Sequence, residues 1–123
     1  MPGELPMEET GSGRVFVAGT YGPALATARA FGDMNAKQVG VTAEPEMMAT
    51  HLAPSDKVLV IASDGVWDVM GEKQVVETVM AYALQKDAEM ASSVLVQACR
   101  LVWEGIAGEN DIIDDISAVV VFL

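Results

Sequence analysis

Apolar positions along the chain fall into two periods. From Lys57 to Ser63 the run KVLVIAS is continuous and rich in β-formers, which predicts a strand buried on both faces. Ile116 to Leu123, ending Val119-Val120-Val121-Phe122, predicts a second strand. Between them the period lengthens. Val75, Val76, Val79, Met80 and Ala83 share one face of a predicted helix over Glu72 to Leu84. Val94, Leu95, Ala98, Leu101 and Val102 form the stripe of another over Ala88 to Glu104, with Gln97, Arg100 and Glu104 on its polar side. Gly105 and Gly108 end it.

The N-terminal part is more broken. Arg14 to Ala18 predicts a short strand around Val15, Phe16 and Val17, and Gly19 to Pro23 punctuates it. Ala24 to Phe31 holds helix formers between Gly-Pro and Gly-Asp, and propensity leaves helix and extended chain equally open. Val39 to Thr42 and Met47 to Leu52 predict short strands separated by Glu44-Pro45-Glu46. Strands, two consecutive helices, then a strand make an α+β chain rather than an alternating one. A helical hairpin turning at Gln85-Lys86-Asp87 is expected to cover one face of a sheet.

Length and composition narrow the classes. With 123 residues the chain is about one small domain, and 51% apolar residues exclude intrinsic disorder. Seven Lys+Arg against 18 Asp+Glu give a net charge of −11, which argues against nucleic acid and against an anionic membrane surface. No uncharged apolar run reaches the roughly 18 residues of a spanning helix. The longest candidate, Val15 to Ala28, is interrupted by Gly19, Gly22 and Pro23. One cysteine, Cys99, excludes an internal disulfide and a cysteine-based zinc cluster. Met1 to Gly13 reads as a flexible lead-in or as a loop cut from a longer chain, without the basic-then-apolar order of a secretory signal. Together these predict a cytoplasmic or nuclear setting.

Two acidic turns carry the candidate chemistry. Ser63 to Asp68 (SDGVWD) follows the most apolar strand, and Glu109 to Asp115 (ENDIIDD) sets four carboxylates in seven residues before the last strand. Carboxylates crowded at strand ends repel one another unless a cation sits among them. Hard divalent ions such as magnesium and manganese take such oxygen ligands. Acidic turn residues also cap helices and solvate loops, and Asp-Gly is an ordinary turn signal. Asp111 to Asp114 lacks the spacing of an EF-hand loop, and Gly11-Ser12-Gly13 lacks the ending of a phosphate loop. His51 and Cys99 stand alone, so no Ser/His/Asp or Cys/His nucleophile is visible.

VLVIASDGVWDVM (Val58 to Met70) closely resembles a signature of the metal-dependent protein phosphatases, the PPM-type or type 2C serine/threonine phosphatase family. ALATARAFGD (Ala24 to Asp33), VTAEPEM (Val41 to Met47) and DDISAVVVFL (Asp114 to Leu123) are similar to further family segments, in family order. The resemblance implies part of a four-layer α-β-β-α sandwich, two antiparallel sheets flanked by helices. It implies two Mn2+ or Mg2+ ions that ready a water for phosphomonoester hydrolysis, and a phosphoserine or phosphothreonine protein as substrate.

Within that family pattern, Asp64 matches the metal ligand of Ser-Asp-Gly and Asp114 the metal ligand of the closing Asp-Asn pair. Asp115 stands where the family has Asn, adding a charge and removing an amide donor. Arg29 and Asp33 are expected to be structural, and Trp67 a packing residue of the core. Residues 14–123 resemble the C-terminal half of the domain. The half that supplies the other ligands and a phosphate-binding arginine has no counterpart here. The isolated chain is therefore expected to be inactive and marginal, with apolar strand faces awaiting the other half or a second copy. A non-enzymatic partner-binding or regulatory module is the alternative reading.

Overall fold

The computed structural model describes residues 13–20, 23–108 and 111–123. The lead-in expected over Met1 to Gly13 therefore lies, apart from Gly13, outside the described residues. The chain divides into two units, Met1–Thr50 and His51–Leu123.

In the first unit, β1 (Val15–Phe16) pairs antiparallel with β2 (Pro23–Leu25). The segment with two open readings is extended: after β2 it carries only an isolated parallel bridge, Arg29 to Thr42. That bridge is all that forms of the strand expected over Val39 to Thr42. Gly32 and Asp33 both take positive φ, 69° and 47°, to start a one-turn helix, α1 (Met34–Lys37). The sequence pattern gave no sign of α1, whose four residues are too few to show a period. Ala36 of α1 and Val41 after it are buried. Arg29 donates from Nη2 to Glu46 Oε1 at 2.6 Å, which fits the structural part expected of it. The strand expected over Met47 to Leu52 is absent, and Met47, Met48 and Leu52 are exposed.

The second unit holds β3 (Val58–Ala62), α2 (Asp64–Trp67), α3 (Glu72–Met80), α4 (Ala88–Ile106) and β4 (Ala118–Phe122). β3 and β4 pair antiparallel in continuous register from Val58↔Phe122 to Ala62↔Ala118. One face of this ribbon lies under the helices. Val66, Val75, Val79, Leu95 and Cys99 are buried there with Ala91 and Val120, and Val58, Val60, Ala62 and Phe122 pack against them. Burying each valine and leucine of this cluster stabilises the unit by roughly 1.5–3 kcal/mol.

The opposite face corrects the expectation that β3 is covered on both sides. Leu59 is 47% exposed, Ile61 60%, Val119 55% and Val121 41%. All four lie on one side by the register. The α+β class holds, with helices against a small antiparallel sheet, but the described residues form two-stranded ribbons and no complete two-sheet sandwich.

The helices keep their predicted places with changed ends. α3 stops at Met80 because Tyr82 and Ala83 donate to Val79 and Met80, three residues back, tightening the chain. Lys86 then adopts φ 50°. Asp87 caps α4 by accepting from Met90 N at 2.9 Å. The buried stripe of α4 is Ala91, Leu95 and Cys99. Leu101 and Val102, expected in that stripe, are exposed: the buried line runs at four-residue spacing through Ala91, Leu95 and Cys99, and Leu101 and Val102 lie off it.

Candidate functional site

The last register pair of the ribbon, Ala62↔Ala118, sets both acidic turns at the same end. Ser63 continues the contact: its N–H donates to the Ser117 carbonyl at 3.0 Å. The Ser63 hydroxyl donates to the Asp115 carbonyl at 3.2 Å and accepts from Ser117 N at 3.0 Å. One side chain thus ties the two turns with two bonds. Beyond it the chain coils at once into α2, so the expected Asp64-Gly65 turn is the first step of a single helical turn.

Gly65 is buried, and a Cβ there would meet the backbone of the other turn. It would lie 3.0 Å from the Asp115 carbonyl carbon and 3.2 Å from Ile116 Cα, with the Asp115 oxygen closer still. Only a residue without a side chain lets the turns touch. A third tie comes from α4. Trp103 donates its indole N–H to the Gly65 carbonyl at 2.8 Å. Trp67 donates its own to the Ala62 carbonyl at 3.0 Å. Trp67 is 40% exposed, which corrects its assignment to the core.

Asp64 and Asp114 are both exposed, one on each of these turns. Asp114 Oδ1 accepts from Asp115 N at 2.8 Å. Asp111 Oδ2 accepts from Gly108 N at 2.6 Å. An open cavity of about 320 Å³ beside this turn is lined by Val96, Arg100, Ile113, Asp114, Asp115 and Ile116. Its lining does not include Asp64. Arg100 is engaged with Glu104 through an Nε–Oε1 bond of 3.0 Å.

The donor chemistry suits a hard divalent ion: exposed carboxylates on facing turns, acceptors only when ionised. The number falls short. Among the described residues no group of three or more His, Cys, Asp or Glu side chains converges as a metal site. Asp64 and Asp114 therefore make no complete metal site among the described residues. The sequence pattern marked the two aspartates but missed Ser63, which joins their turns, and Trp103, which ties the first turn to α4. It read Gly65 only as a turn former.

Cys99 is buried in the helical core, with its Sγ 3.4 Å from Met70 Sδ. Burial raises its thiol above the ordinary range by desolvation. No helix among the described residues is long and apolar enough to cross a membrane.

A fold of helices on an antiparallel ribbon, with Ser-Asp-Gly locked against the acidic turn before the closing strand, defines a class that sequence comparison identifies. The sequence model described as Protein phosphatase 2C matches residues 7–102. The chain belongs to the protein phosphatase 2C family. That match takes in Asp64 and stops short of Asp114.

Longer alignments reach further. The chain is 37% identical over 116 residues to the probable protein phosphatase 2C 12 of Oryza sativa subsp. japonica, covering 94% of this chain and 29% of that protein. It is 34% identical over 116 residues to the probable protein phosphatase 2C 73 of Arabidopsis thaliana, covering 94% and 30%. Among solved structures it is similar to the serine-threonine phosphatase 2C from Toxoplasma gondii, with a TM-score of 0.65 and 31% identity over 80% of this chain and 29% of that one. The chain therefore spans about three tenths of the length of the relatives it matches.

Proposed function

We propose that residues 14–123 are the C-terminal half of a metal-dependent protein serine/threonine phosphatase domain, with Asp64 and Asp114 as two ligands of its Mn2+ or Mg2+ pair. The reaction is hydrolysis of a phosphoserine or phosphothreonine protein. Water attacks phosphorus, the ester P–O bond breaks, and the hydroxyl side chain leaves without a phosphoenzyme. Divalent ions, when bound, supply positive charge that acidifies water and offsets charge on the phosphoryl oxygens.

The part of this chain in that reaction is to hold carboxylate oxygens at one end of the ribbon. Ser63, Gly65 and the β3–β4 register perform it through the backbone. The observation that carries the reading is the locked contact of Ser63-Asp64-Gly65 with Asp115-Ile116-Ser117 in a chain of this family. A single buried thiol accords with a reducing cytoplasmic or nuclear setting.

The test joins this chain to the N-terminal part of the domain and measures Mn2+-dependent phosphate release from a phosphopeptide. Asp64→Asn and Asp114→Asn are each expected to cut the rate by at least tenfold; rates equal to the unaltered protein remove them from the site. A second reading is favoured by the absence of a three-ligand cluster among the described residues: a non-enzymatic module that binds or regulates a partner. Calorimetric titration of the 123-residue chain separates the two, since tight binding of two Mn2+ ions by it alone contradicts the module.

A further inference from the structure

α2 has four residues, one turn, and a helix that short does not hold itself in water. Its carbonyls reveal what does. Ser63 O accepts from Val66 N and Trp67 N, Asp64 O from Asp68 N, and Val66 O from both Val69 N and Met70 N. Val69 N, the donor that a continuing helix would send to Gly65 O, goes to Val66 O at 3.2 Å. The Gly65 carbonyl is taken instead by Trp103 Nε1, from 38 residues away on α4. This carbonyl belongs to the residue next to Asp64, and the same residue presses on Asp115 and Ile116.

We infer that Trp103 is a positioning residue: its indole N–H pins the Gly65 carbonyl and so holds the Asp64 turn against the Asp114–Asp115 turn, fixing the two carboxylates relative to each other. The inference rests on the reading of those carboxylates as ligands. Its geometric part, the locking of the turns, stands apart from metal. Ser63 supplies the matching tie on the other side of Asp64, so the aspartate is held from both neighbours. Loss of a hydrogen bond from a partly buried carbonyl releases the turn while the ring of α4 stays packed.

The test uses Trp103→Phe in the 123-residue chain, which keeps the ring and removes the donor. Amide exchange by NMR is expected to quicken about three- to tenfold in residues 65–68 and 115–117, with α3 unchanged. No change at either turn, or equal quickening throughout the chain, overturns the inference. Mn2+ is the second probe. The Mn2+ concentration that broadens half the signal of the two turns is expected to rise at least threefold in Trp103→Phe; an unchanged concentration overturns the positioning role. Asp64→Asn distinguishes the underlying reading. If it leaves Mn2+ broadening as in the unaltered chain, or if the unaltered chain is not broadened at all, the ligand assignment fails, and the exchange pattern alone decides whether Trp103 locks the turns.

Discussion

Gly65→Ala sets two opposed effects against each other at one position. Alanine favours a helical residue over glycine by about 1 kcal/mol. At Gly65 the added methyl would sit 3.0 Å from the Asp115 carbonyl carbon and 3.2 Å from Ile116 Cα. Carbon atoms rest at roughly 3.5–4.0 Å, so the turns must separate by half an ångström or more. The obstacle is backbone, tied by Ser63 and by the β3–β4 register, and it has no rotamer to change. Overpacking of this kind costs roughly 1–3 kcal/mol, and a rigid backbone obstacle belongs at the upper end. The net expectation is a loss of about 2 kcal/mol, near thirtyfold in the folded-to-unfolded ratio. Urea unfolding followed by circular dichroism reads it as a midpoint lower by about 1 M or more. Gly105→Ala is the internal control. Gly105 lies in α4 with nothing within 4 Å of an added Cβ, so its midpoint is expected to hold or rise. Equal or higher midpoints for Gly65→Ala would refute the reasoning, as would equal losses at both glycines.

Two further outcomes follow from the same core. Burial keeps the Cys99 thiol protonated, so its stabilising share is complete below the ordinary thiol pKa and is lost as pH rises through the raised one. Iodoacetamide at pH 8 is expected to label the folded chain at least tenfold more slowly than free cysteine and to catch up in urea; native labelling at the free-thiol rate would contradict the packing. Asp87→Ala removes the cap on Met90 N and is expected to cost about 1 kcal/mol. An unchanged urea midpoint would show that α4 does not depend on that bond.

What the sequence revealed and what it concealed divide along physical lines. β3, β4, α3 and α4 were legible because each carries a period long enough to count, and the core grew from their apolar faces. The second face of β3 was misread because a continuous apolar run signals two-sided burial, whereas Leu59 and Ile61 are exposed in this chain. α1 and α2 have four residues each and left no periodic trace. Asp64 and Asp114 were legible as acids at strand ends. Ser63, Gly65 and Trp103 were not, since their work is done across 38 to 54 residues of intervening chain and no local pattern encodes it.

The β3–β4 register sets an order of events as well as a shape. Val58 meets Phe122 across the whole helical hairpin, so this pairing is a non-local contact with a large closure entropy. During synthesis α3 and α4 emerge before the strand that completes the ribbon. A ribosome paused ahead of Ala118 therefore displays the Asp64 turn held by α4 alone, and its contact with the Asp115 turn forms only as the final strand zips into place.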